Sequence, residues 1–297
     1  MTVAAPLVQD RNRPDFAAFA ADRREPDAIA RLRREAFARF ETLGLPTRQQ
    51  EAWRLTDLSG LQQWDWQRPA VAPVDAGALP TLDLPTHRLA FVNGRYAPGL
   101  SRLQNMPDQV FIASLSQALL THPELIAPHL DRLPGLEQHP FSALNTAFWE
   151  DGAFIYLPPG AVVETPIHLI FHASGGDMAV YPRLLLMLAE NAQATVIVEY
   201  QGAGRYLNAP VTEAQLGDGA VLRYHKIQQE SPQAFHLGAI RVQQGRNSEA
   251  NLHLLSFGGS VARTDLDAVL DGGRRELQPQ WPDLGAGSAV QRCSRPG

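Results

Sequence analysis

Glu190-Asn191-Ala192-Gln193-Ala194-Thr195-Val196-Ile197-Val198 is a small polar turn followed at once by a β-rich run. The arrangement returns as Gly217-Asp218-Gly219-Ala220-Val221-Leu222-Arg223-Tyr224-His225 and as Arg246-Asn247-Ser248-Glu249-Ala250-Asn251-Leu252-His253-Leu254. The repeats stand about 27 to 29 residues apart, inside the window of solenoid proteins. Pro159-Gly160-Ala161-Val162-Val163 reads as an earlier copy. A sandwich or barrel would show hairpin turns every 8 to 12 residues or so and no fixed self-similarity. The repeats therefore predict a parallel β-helix, whose coils bury their inner faces only by stacking on one another.

Working outward, the chain upstream changes character in steps. Pro26 and Asp27 suit a helix start, and Ile29, Leu32, Ala36, Phe40 and Leu43 recur at helical spacing until Gly44 and Pro46 end the pattern. Phe40 and Leu43 are expected to pack inward, and Arg31, Arg33 and Arg34 to form a solvated face. Residues 1–65 thus read as a helical region, and residues 66–86, rich in Pro, Ala and Asp without periodicity, as a linker. Leu89-Ala90-Phe91-Val92-Asn93-Gly94-Arg95-Tyr96 is a strand, an Asn-Gly turn and a return, which signals a hairpin. Residues 87–150 read as a mixed hairpin and helical segment, and 151–272 as the solenoid coils. Residues 273–297 read as an irregular tail that supplies no cap, which leaves Leu252, Leu254, Phe257 and Val261 at an open end.

Composition narrows the function classes. Of 297 residues, 44% are hydrophobic and 19% charged, as in ordinary folded proteins. A net charge of −5 does not suit a nucleic-acid binder. Lys226 is the only lysine and follows His225, so there is no P-loop. Cys293 is the only cysteine, which excludes an internal disulfide framework and any four-cysteine site within one chain. No apolar stretch reaches the roughly 18 residues of a membrane span, and the expected compartment is the cytoplasm.

Catalytic templates find little to hold. His168 and His172 stand four apart in a strand-like run, where pairing or surface roles outweigh metal binding without a third ligand at motif spacing. Pro158-Pro159-Gly160 suggests a cupin turn, yet no His-x-His follows it. Asp265 and Asp267 alternate onto one strand face, with Asp271 beyond, and are the best candidate for a β-helix polysaccharide lyase or hydrolase. The alternative reading, acids on a solvated solenoid face, is preferred because no apolar setting for a general acid accompanies them. No Ser-His-Asp order and no Gly-x-Ser-x-Gly elbow stands out. The residues identify no catalytic or metal-ligating set, and the chain is expected not to be an enzyme.

Several segments together resemble the SufB/SufD family of iron–sulfur cluster assembly scaffolds, its SufD branch more closely. They are Gln50-Glu51-Ala52-Trp53-Arg54-Leu55-Thr56-Asp57-Leu58, Phe91-Val92-Asn93-Gly94, Leu144-Asn145-Thr146-Ala147-Phe148-Trp149-Glu150-Asp151-Gly152, Pro166-Ile167-His168-Leu169, Pro182-Arg183 with Glu190-Asn191-Ala192, Tyr224-His225-Lys226-Ile227-Gln228, and residues 258–266. The resemblance implies a helical N-terminal domain, a right-handed parallel β-helix and a C-terminal helical domain, working with SufB and the ATPase SufC. It also implies a transient iron–sulfur cluster on that complex and no cofactor held by this chain alone. The resemblance stops after Leu270-Asp271-Gly272, so the chain is read as truncated, with a solenoid incomplete at its C-terminal end and without the helices on which SufC would dock. An out-of-frame tail is preferred over a genuine short variant. No functional residue is carried over.

Overall fold

Asn191, Gly219 and Asn247 all hold positive φ, at 54°, 67° and 54°, and Gly160 does so at 72°. This left-handed conformation strains most residues and suits Gly and Asn, which is why those two types recur at the turns. Each turn also ties its coil to the next, because the N–H of Gly160, Asn191 and Gly219 donates to the carbonyl of Glu190, Asp218 and Arg246, each at 2.8 Å. The residue after each turn in the later coils, Ala192, Ala220 or Ser248, is fully buried, so only a small side chain fits the corner.

In the computed structural model, described residues are 8–62, 66–70, 79, 82–103, 106–107, 109–133, 135–270, 276–280 and 288–294. Helices α1 (Val8–Ala21), α2 (Asp27–Leu43) and α3 (Ser59–Gln62) come first. Strands β1 (His87–Val92), β2 (Arg95–Tyr96) and β3 (Phe111–Ser114) precede helices α4 (Leu115–Thr121), α5 (Pro123–Ile126) and α6 (Pro140–Phe148). The coils follow as β4 (Gly152–Leu157), β5 (Val162–Ser174), β6 (Met178–Val180), β7 (Arg183–Leu188), β8 (Gln193–Ala203), β9 (Tyr206–Asn208), β10 (Val211–Leu216), β11 (Val221–Gln229), β12 (Phe235–Gln244), β13 (Glu249–Ser256), β14 (Val261–Leu270), β15 (Glu276–Gln280) and β16 (Ser288–Ser294).

The protein is mainly β, a parallel β-solenoid with helices at its N-terminal side. One sheet runs β15-β13-β11-β8-β5-β1-β2 and the other β16-β14-β12-β10-β7-β4-β3, with β6 and β9 forming short corner strands. All pairs between coils are parallel, and only β2 and β3 join antiparallel. Register stacks like on like inside. Ile167, Val196, Tyr224 and Leu252 form one inward column, and Leu184, Thr212, Ile240 and Leu266 face it from the other sheet. Phe91, Phe171 and Tyr200 stack in a third, with centroids 4.7 and 5.2 Å apart.

The hairpin at Asn93-Gly94 forms as expected, with both residues at positive φ. Its first strand β1 pairs in parallel with β5, so the strand layers begin upstream of residue 151. In the stretch 66–86, Gln67 bridges Met178 while Trp66 and Leu79 are buried, and residues 71–78 lie outside the described residues.

Three expectations need correction. The tail of residues 273–297 is not irregular throughout: Glu276–Gln280 pairs with β13 and Ser288–Ser294 with β14. Pro279 disguised the first of these strands, since proline donates no ladder hydrogen bond and is tolerated only at an edge or bulge. With β15 alongside β13, Leu252 and Leu254 are buried and not open. On α2, Leu43 is 36% exposed while Phe37 takes the inward position beside the fully buried Phe40. Arg33, expected in solvent, is 1% exposed: its Nε donates to Glu25 at 2.9 Å, Nη1 donates to the Ala147 carbonyl, and its guanidinium lies 4.1 Å from the Trp149 ring. Glu25, the Ala147 carbonyl and the Trp149 face offset much of the burial, although Nη2 has no hydrogen-bond partner among the described residues and burial lowers the Arg33 pKa to about 9. No described helix is long and apolar enough to cross a membrane.

Candidate functional site

The helices meet the outer face of the second sheet along a polar seam. Asn145 of α6 donates from Nδ2 to the carbonyls of Pro182 and Ala209, at 2.7 and 2.8 Å, and so grips two successive coils at once. Arg183 donates to Asn145 Oδ1 at 3.1 Å, to Thr146 Oγ1 at 3.0 Å and to Glu213. Glu213 in turn accepts the N–H groups of Asp131 and Arg132, and Arg39 of α2 pairs with Asp131. Arg183 and Glu213 are both buried, and most donors and acceptors around them are matched, Arg183 Nε and Arg39 Nε being left over among the described residues. Where the chain enters β4, a Cβ on Gly152 would lie 1.7 Å from the Arg183 carbonyl, so only glycine fits. Beside it, Asp151 accepts Ser114 Oγ and the N–H groups of Ser116 and Gly152, and burial raises its pKa against those donors.

Below the seam lies a cleft of about 230 Å³, lined in part by Trp53, His139, Arg241, Arg263, Asp265 and Asp267. The two aspartates picked out from the sequence do share this face. Each is engaged: Arg263 donates to both oxygens of Asp265, at 2.9 and 3.2 Å, and Arg241 lies 2.9 Å from Asp267. Arg263 also stacks on Trp53 at 3.9 Å. Burial pushes the Asp265 carboxyl up, but His139 and Arg263 pull it down further, so its pKa is lowered. A general acid needs the opposite shift. Asp265 therefore does not suit the general-acid role, and Asp271 lies outside the described residues.

The structure does assemble a Ser-His-Asp chain that sequence order hid. Ser142 Oγ lies 3.1 Å from His139 Nδ1, and His139 Nε2 lies 2.9 Å from Asp265. Its geometry is that of a helix cap. His139 Nδ1 accepts the Ser142 N–H at 3.1 Å, and Ser142 is fully buried and does not line the cleft. Burial lowers the pKa of His139, which keeps it neutral, with Nδ1 as acceptor and Nε2 as donor.

A second polar group lies inside the solenoid. Lys226 stands in register between Val198 and Leu254 and is 2% exposed. Its Nζ meets Thr264 Oγ1 at 2.5 Å, and burial pushes its pKa down to about 7. Nearby, the buried Glu230 accepts from Asn208, Gln228 and His236, at 2.8, 3.0 and 2.7 Å. Burial raises the Glu230 pKa, but His236 and the other donors prevail and lower it, while burial lowers that of His236. Among the described residues, Asn208 Oδ1 and His236 Nε2 have no hydrogen-bond partner. Sequence reasoning missed this cluster, although one signal was available: Lys226 alternates with Tyr224 and Gln228 on the inward face of β11.

His168 pairs with Glu199 at 3.1 Å, both buried, which matches the pairing role expected for it. Burial lowers the pKa of His172. Pro158-Pro159-Gly160 is the first coil's turn. Cys293 falls on β16. Among the described residues, no three His, Cys, Asp or Glu side chains converge as a metal-ligand set.

A stacked parallel solenoid, clamped by helices through buried ion pairs, defines a β-helix protein. Comparison with known families sharpens this. The SufBD protein N-terminal region matches residues 18–169, and the SufBD core domain of the SUF iron–sulfur cluster assembly system matches residues 171–288. The chain belongs to the SufBD family. The core match runs past Gly272 and takes in β15. An iron–sulfur cluster assembly SufBD family protein of Synechocystis is 29% identical over 258 residues, covering 82% of this chain and 56% of the relative. The SufD protein of Bacillus subtilis is 22% identical over 294 residues, covering 92% of this chain and 65% of the relative, and SufB of the same organism is 31% identical over 124 residues, 40% of this chain. The chain spans roughly half to two thirds of the length of the relatives it matches most fully.

Proposed function

We propose that this chain acts as a SufD-like scaffold in cytoplasmic iron–sulfur cluster assembly, in a complex with a SufB-like protein and a SufC-like ATPase. The observation that carries the reading is the succession of the two family regions along one chain. Support for the SufD branch comes from the extent of the Bacillus subtilis SufD match, against the shorter match to SufB. A non-catalytic role agrees with the cleft, where both aspartates are engaged by arginines. The cluster is cargo that forms on the complex, with no resident cofactor on this chain.

Co-expression with the SufB-like and SufC-like proteins of the same organism tests the proposal. Co-purification as a stable complex that accepts a cluster during reconstitution is the expected outcome. Failure to associate with the SufB-like protein, by a chain shown to be folded, would overturn it.

A further inference from the structure

The outward face of the first sheet carries a feature that the scaffold role leaves unused. His225 on β11 and His253 on β13 are register partners, 28 residues apart. Their rings stack with centroids 4.8 Å apart and planes 25° apart, and their Nδ1 atoms approach to 3.0 Å. Both are half-buried.

Two nitrogens at that separation require one to donate and the other to accept. Protonating both rings would set two cations against each other. Burial, His253 and Arg223 all lower the pKa of His225, and neutral imidazole is the ligand form. Two nitrogens bound at about 2.0–2.1 Å and at right angles stand roughly 2.9 Å apart, close to the spacing present; a tetrahedral angle needs a few tenths of an ångström more. Arg223, exposed and two residues along the same face, opposes a cation only through solvent.

We propose that His225 and His253 form a surface site for a late first-row divalent ion, Cu²⁺ in preference to Zn²⁺, with water or a small anion in the remaining positions. Imidazole donors and a near-right-angle bite both favour Cu²⁺, as does the general affinity order of these ions. On binding, the proton shared between the two Nδ1 atoms moves to Nε2 of its own ring, so the neutral pair takes up the ion without net proton release. Acidification weakens binding, because the ion must then displace protons. The inference is independent of the scaffold role.

Titration of the full-length, untagged chain with Cu²⁺ alone, and separately with Zn²⁺, tests it by calorimetry and, for Cu²⁺, by electron paramagnetic resonance. One ion per chain, tighter for Cu²⁺, is expected, with a spectrum showing two nitrogen ligands. H225Q and H253Q should each lose that ion, whereas H122Q, at an exposed histidine, should keep it. The proposal fails if wild type binds no ion saturably, if its spectrum lacks the two nitrogens, or if the ion survives loss of both histidines. The wild-type spectrum decides the matter even where a variant folds poorly.

Discussion

The molecule buries charge in two places, and they are built differently. Along the seam, Arg183 and Glu213 sit in a network that joins α2, α6, β7 and β10. Inside the solenoid, Lys226 occupies a position that neighbouring coils fill with Val198 and Leu254, with Glu230 and His236 nearby. Among the described residues, each place leaves two buried polar atoms without partners: Arg39 Nε and Arg183 Nε at the seam, Asn208 Oδ1 and His236 Nε2 inside. A buried charge set directly against its opposite fixes one arrangement, as Arg183 does against Glu213, whereas a buried amine that meets only a hydroxyl, as Lys226 does at Thr264, lowers stability relative to an apolar core. The seam therefore clamps helices to sheet through opposite charges, and Lys226 is the weak point of the interior cluster.

Arg183→Met should show the largest effect. It leaves Glu213 buried without its charge partner and should cost about 3 to 5 kcal/mol, read by urea unfolding. An unchanged midpoint would mean that the helices hold to the sheet through apolar packing alone. Lys226→Met should act in the opposite direction, stabilising by about 1 to 4 kcal/mol, since it removes a buried amine and restores the apolar column. If this variant is instead strongly destabilised, the interior cluster is a structural network like the seam, and the contrast collapses.

The same lysine sets a pH dependence. Its folded pKa of about 7 lies below the ordinary lysine value, so above pH 7 the folded amine releases its proton while the unfolded chain keeps one. The unfolded state then binds more protons, and stability should rise with pH from about 7 toward 10. A pH series of unfolding midpoints checks this, and Lys226→Met should flatten it. The smallest effect belongs to the turns: Asn191→Ala should cost about 1 to 2 kcal/mol because φ there is 54°, while Asn191→Gly should be nearly neutral.

Much of the solenoid was legible because its signals are local and repeated. The turn at Asn191, Gly219 and Asn247 must adopt a conformation that few residues accept, and it recurs with the coil. The seam was not legible in those terms. Asn145, Arg183 and Glu213 lie far apart in the chain, and each alone is an ordinary polar residue; the resemblance marked Asn145 and Arg183 without saying why. Arg33 misled for a related reason, since a helical wheel assigns arginine to water and cannot see the Trp149 face waiting for it. At the cleft, Asp265 and Asp267 were correctly placed on one face, but the arginines that engage them come from tertiary packing as much as from sequence neighbours.

The turn column also governs how such a chain tolerates changes in length. Because each coil hands one hydrogen bond to the next at an equivalent turn, a segment of one full repeat can be inserted or removed while every remaining side chain keeps its direction. A single-residue slip within β8 or β11 would instead turn its lining outward and its polar face in. Length variation among chains built this way should thus be quantised, arriving in whole coils within the stack and in arbitrary steps only at the loops between strands.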